Sequence, residues 1–199
     1  MERSDAVQKL QQLVGKELHE LAEHSDVTIY RNGRVNKGWA GHVFERFLGL
    51  PINSAQSPNF GSWELKSVPL KYKRNGELTF KETMAITMID SVNVCQTEFE
   101  DSHLLAKLKK AVVIARIVGN TVDDPSYIHS IVEFDLQGEL YDAVKADYDL
   151  VRNTLLDPRR GFHALTGHMG VYTAANKRAR TWFHYESLLC KTQISQAVH

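Results

Sequence analysis

Apolar residues recur at spacings of three and four between residues 5 and 23, at Val7, Leu10, Val14, Leu18 and Leu21. That period predicts one amphipathic helix, with Asp5 as its cap. A polar stretch over residues 25–37 follows, with Asn32-Gly33 as a strong turn signal. Trp39, Val43, Phe47 and Leu48 predict a second helix over about 38–48, stopped by Gly49, and the Trp39, Phe44, Phe47 cluster reads as core. Beyond a loop over 51–61, residues 62–70 and 78–89 read as two strands joined by a turn at 73–76, forming a hairpin. Residues 103–110 suggest a helical turn, and 111–118 and 127–134 are candidate buried strands. Residues 138–156 carry Leu140, Ala143, Val144, Tyr148, Val151 and Leu155 on one helical face. This order of elements predicts an α/β (mixed α+β) fold, a central mixed β-sheet flanked by helices, as a single domain over residues 1–199. The last forty residues hold short elements and clustered basic groups.

Composition narrows the picture little. With 199 residues, 43% of them hydrophobic, a core can form without disulfides. Cys95 and Cys190 lack the spacing of a zinc site or disulfide framework and read as buried, inert thiols. No run of 18 apolar residues occurs and the charged N-terminus lacks a secretory pattern, so a cytoplasmic location is expected. The 24 basic and 24 acidic residues cancel, which neither favours nor excludes a nucleic-acid partner. The nine histidines form no HExxH pattern, and Ser102-His103 has no nucleophile-elbow context.

Glu64-Leu65-Lys66 lies on a predicted strand, where alternate residues share a face. Glu64 and Lys66 therefore project together and Leu65 projects oppositely. A carboxylate beside an ammonium suits phosphodiester hydrolysis. The acid can hold a hard divalent cation, and the lysine can place water or offset charge on the phosphate. An ExK triplet by itself more often marks a solvated strand face with an ion pair.

Its surroundings change that reading. In order along the chain stand QQLVGKELHELAE, Lys37-Gly38-Trp39-Ala40-Gly41, Glu45, Leu48-Gly49, Pro58-Asn59, Glu64-Leu65-Lys66, Pro69 and EFEDSHLLAKLKK. Over roughly residues 5–160 the chain resembles the MutH family of mismatch-repair nicking endonucleases and its related restriction endonucleases, within the PD-(D/E)xK nuclease superfamily. The resemblance implies a Mg2+-dependent endonuclease acting on double-stranded DNA. It implies Asn59, Glu64 and the Leu65 carbonyl as metal ligands, Lys66 as the catalytic lysine, Glu45 as a helix-borne acid and Lys107 as a further lysine near the scissile phosphate. Asn59 departs from the family pattern, which has aspartate there. Loss of that charge implies weaker cation binding. Of two readings, a working enzyme silenced by substitution is preferred to a natural slow or binding-only variant, because every other site position matches; in a third arrangement Glu45 supplies the missing charge.

Basic groups that could meet DNA phosphates are Lys71, Lys73 and Arg74, and, in a C-terminal part at about 160–199 read as contributing recognition, Lys177, Arg178 and Arg180 after Tyr172. A restriction role, acting as monomer or homodimer with a cognate methyltransferase, is preferred to strand nicking in repair. A catalytically silent DNA-binding module is the third reading.

Overall fold

The computed structural model of the chain describes residues 1–50, 58–82, 84–161 and 164–165, and the backbone of 182–185. Its centre is a four-stranded mixed sheet of order β4-β3-β6-β7. These strands are β3 (Glu64–Tyr72), β4 (Leu78–Phe80), β6 (Lys110–Val118) and β7 (Ser126–Asp135). β3 and β6 run parallel, whereas β4 and β7 are antiparallel to their neighbours. From Ala111 to Ala115 strand β6 is buried on both faces, as its apolar run there requires. Val112 and Ile114 pack with Leu10, Leu18, Val43, Phe44 and Leu65 on one face. Val113 and Ala115 pack with Val68, Leu104, Leu108, Val144, Tyr148 and Val151 on the other. Helices α1 (Arg3–Gln11), α2 (Leu18–His24) and α3 (Trp39–Phe47) supply the first layer; α4 (Ser91–Gln96), α5 (His103–Leu108) and α6 (Glu139–Leu156) supply the second. The α+β architecture expected from the element order is thus present. Among the described residues no helix is long and apolar enough to cross a membrane.

The helix expected over 5–23 is two helices. The break falls at Gly15, whose φ of +83° ends the first helical path. Gly15 N–H then donates to the Ile128 carbonyl at 2.8 Å, tying the break to β7. Asp5 caps nothing: Glu2 precedes α1 without a side-chain cap, and Asp5 sits in the first turn. Glu17 starts α2 instead. Its carboxylate accepts the N–H groups of His19 and Glu20 at 2.8 and 3.0 Å, and that of buried Ser126 at 2.8 Å.

Glu17 also joins His19, whose Nδ1 lies 2.6 Å from the carboxylate while Nε2 lies 2.8 Å from the Val122 carbonyl. Both ring partners are acceptors, so this geometry suits the imidazolium. Burial opposes charge on both groups. For Glu17 the Ser126 N–H and His19 outweigh burial and hold its pKa below the ordinary value. For His19 the Glu17 and Val122 bonds outweigh it and raise the pKa. Glu17's contribution is therefore complete above the unfolded value of about 4.3 and is lost as pH falls through its lowered folded value. That of His19 is complete below about 6.5 and is lost as pH rises through its raised folded value. Replacement Glu17→Ala is expected to cost about 2–3 kcal/mol, combining a lost cap with a stranded buried N–H. Chemical denaturation across pH should show the largest deficit between roughly pH 4.5 and 6.5. A deficit independent of pH would contradict the ion pair.

Asn32-Gly33 turns a two-residue hairpin, β1 (Tyr30–Arg31) with β2 (Arg34–Val35), both turn residues having positive φ. The strand expected over 78–89 is divided. β4 pairs with β3 only at Leu70–Tyr72; the chain then leaves the sheet, and β5 (Met84–Met88) pairs with β8 (Trp182–Tyr185). α4 and a 3-10 turn at Phe99–Asp101 had no periodic signal because they are too short to show one. Phe47, expected in the core, is 38% exposed, and Cys95 is half-buried rather than buried. Cys190 lies outside the described residues. Ser102 is the cap of α5, accepting the Leu105 N–H at 3.0 Å.

Candidate active site

Because β4 covers only the far end of β3, the described edge of β3 near Glu64 and Lys66 faces a cleft of about 510 Å³ rather than another main-sheet strand. The cleft is bounded by α3 on one side and β5 on the other, and it collects Glu45, Asn59, Glu64, Leu65, Lys66 and Lys107. The spatial convergence expected of these residues is thus observed, although they come from α3, β3, α5 and the segment before β3.

Glu64 is the hub. It is 2% exposed, and its Oε1 lies 2.9 Å from Lys66 Nζ and 3.6 Å from Lys107 Nζ. Its Oε2 accepts the backbone N–H of Asn59 at 3.0 Å. Lys66 also donates to the Ile86 carbonyl at 3.1 Å, which anchors the ammonium between strands β3 and β5. Burial holds the Lys107 pKa below the ordinary lysine value, opposed by the attraction of Glu64. Glu45 enters from α3 and accepts Asn59 Nδ2–H at 2.7 Å through Oε1. Its pKa is raised, first by burial and then by repulsion from Glu64. Asn59 therefore bridges the two acids, with its backbone on one and its side chain on the other.

Among the described residues no three acidic, histidine or cysteine side chains cluster. The centre offers two carboxylates and the Asn59 amide between them. Glu45 Oε2 is buried and has no hydrogen-bond partner among the described residues. A buried carboxylate oxygen without a donor is costly and calls for a cation or proton. Carboxylate, amide and backbone carbonyl oxygens suit a hard divalent ion. The residues fit such an ion, with one negative charge fewer than an aspartate would provide.

The other expected contacts divide. Lys71, Lys73 and Arg74 are exposed but lie at the opposite end of β3. Seven residues of strand put Lys73 about 23 Å from Lys66 along the chain. Lys73 is also held by Glu77 at 2.9 Å. They are therefore not brought to the cleft. Tyr172, Lys177, Arg178 and Arg180 lie outside the described residues, as do His163 and His168. Sequence reasoning passed over His42, Ser67 and Arg116, which line the cleft. Arg116 had a signal: a charge interrupting the apolar run of 111–118.

A mixed sheet with a Glu-x-Lys strand at its open edge, joined there by a helix-borne acid and a second lysine, defines a restriction-endonuclease-like core of the PD-(D/E)xK type. Comparison with known proteins points the same way. Residues 48–139 match the family described as the DNA mismatch repair enzyme MutH. The chain is 30% identical to the DNA mismatch repair protein MutH of Vibrio campbellii over 112 residues, 55% of this chain and 47% of that protein. It is 30% identical to the MutH of Vibrio cholerae over 115 residues, 56% and 50% of the two chains. It is 23% identical to the type II restriction enzyme Sau3AI of Staphylococcus aureus over 172 residues, 83% of this chain and 33% of that enzyme. These matches relate the chain to the MutH-like restriction endonuclease family. The aligned part covers about half the length of the MutH relatives and a third of Sau3AI.

Proposed function

We propose that this chain is a Mg2+-dependent, site-specific endonuclease of double-stranded DNA whose activity is held down by Asn59. The observation that carries this reading is Asn59 bridging Glu45 and Glu64, with a Glu45 oxygen left buried and unsatisfied in a cleft that also holds Lys66 and Lys107. Glu64, Glu45, Asn59 and the Leu65 carbonyl would hold the ion. When bound, Mg2+ would polarise the phosphate and acidify a coordinated water. Lys66, fixed between Glu64 and the Ile86 carbonyl, would orient the attacking water. Lys107 would face the phosphate oxygens and offset their developing charge. The products would be a 5′-phosphate and a 3′-hydroxyl.

A restriction role, in a cytoplasmic system with a cognate methyltransferase, draws support from the Sau3AI match, which extends over 83% of this chain. Strand nicking in repair is the second reading, favoured by the higher identity to MutH. Digesting a sequenced phage genome with the Asn59→Asp protein and mapping the ends tests all of this together. Unaided double-strand breaks at one short sequence are expected. Nicks only, or cutting that needs partner proteins, would favour repair. Intact DNA with tight binding would leave a silent DNA-binding module.

A further inference from the structure

The catalytic reading leaves Arg116 without a task. This arginine stands on β6, where its Nε donates to Ser67 Oγ and its Nη1 to Ser126 Oγ, each at 3.2 Å. Its guanidinium lies 5.7 Å from the centre of the Trp39 ring. Among the described residues it forms no ion pair. Glu82 is exposed and acts on it through space alone, and burial pushes its pKa down to about 10. Two neutral hydroxyls and an indole orient a guanidinium but do not neutralise it. Such an arrangement keeps the remaining N–H donors for an anion.

Its position supplies the anion's address. Arg116, Ser67 and Lys37 line both the catalytic cleft and an adjoining cavity of about 370 Å³. The N-terminus of α3 opens beside them, with no side-chain cap and no acid in its first turn. Two acids share the adjoining cavity. Glu82 is exposed, and the Asp124 carboxylate is turned onto the Thr121 N–H at 2.8 Å. Lys81 is occupied by the carbonyls of Gly119 and Asn120 at 2.8 and 3.4 Å. A ligand reaching the catalytic residues along this path would meet Arg116 and Lys37.

We propose that Arg116, oriented by Ser67, Ser126 and Trp39 and joined by Lys37 and the N-terminus of α3, forms a second phosphate subsite that holds a backbone phosphate beside the scissile one. The inference rests on the DNA-cleaving reading and adds to it a positioning contact that no base identity governs.

The test uses the parent chain and its Arg116→Met and Arg116→Lys variants, binding a short duplex in EDTA across a salt series, with anisotropy as readout. Arg116→Met is expected to bind about 10-fold more weakly and to flatten the log K against log salt slope by about one. Arg116→Lys should keep the slope but lose affinity, because a point charge lacks the fork. Inorganic phosphate should raise the Tm of the parent and not that of Arg116→Met. Should Arg116→Met fail to fold, Arg116→Lys decides: affinity equal to the parent's would overturn the subsite. Arg116→Met with parental affinity and slope would also remove the subsite and leave the nuclease reading standing. A parent that binds no duplex would remove both.

Discussion

Introducing a carboxylate with Asn59→Asp is expected to raise Mg2+-dependent DNA cleavage by about 10²–10³-fold. Each tenfold corresponds to about 1.4 kcal/mol of barrier, and correct placement of a metal at a phosphate is worth several kcal/mol. In the present chain the Asn59 amide donates to Glu45 at 2.7 Å. Aspartate cannot donate there. It would face Glu45 and Glu64 together, so three carboxylates would stand against the two ammonium groups of Lys66 and Lys107. The metal-free variant should therefore melt below the parent, and Mg2+ should restore its Tm by binding the native state. The parent should respond weakly to the same Mg2+. Plasmid cleavage and melting curves across a Mg2+ titration check both halves. An Asn59→Asp protein that neither cuts nor gains stability from Mg2+ would falsify the metal assignment.

Removing Glu64 is expected to have the largest effect on stability. The residue is almost fully buried and is the acid on which Lys66 and Lys107 both lean. Glu64→Ala should cost about 3–5 kcal/mol, the range for removing one partner of a buried ion pair. At about 2–4 °C per kcal/mol for a chain of this size, the Tm should fall by about 10 °C. In the Asn59→Asp background the same change should abolish cleavage. The stability loss has a specific signature: adding Lys107→Met to Glu64→Ala should recover part of the Tm and none of the cleavage. Calorimetry of the single and double variants reads this coupling directly. Equal Tm values for parent and Glu64→Ala would mean that the acid is solvated rather than central to the cluster.

The alternation at 64–66, the apolar run of 111–118 and the long face of 138–156 were legible because each encodes burial within one element. The sheet-flanked α+β class followed from their order, as did the joint projection of Glu64 and Lys66 from one strand face. Breaks were harder to read. The helix at 5–23 parted at Gly15 because β7 offered that backbone a hydrogen-bond partner, a fact that no helical period contains. The strand at 78–89 divided because its second half found a different partner in β8.

For the candidate site, the sequence placed Glu64 and Lys66 on one strand face, and only its resemblance to the MutH family singled out Glu45 and Lys107 and marked Asn59 as a departure. Tertiary structure decided their grouping: Glu45 and Lys107 meet Glu64 only because α3 and α5 pack beside the same end of β3. It also set Lys71, Lys73 and Arg74 at and just beyond the other end of β3, outside the cleft. It gave Arg116 its place between two cavities. The physical reason is range. Periodicity reports what each element buries along its own axis, whereas a charge's neighbours, and hence its chemistry, are set by contacts between elements distant in the chain.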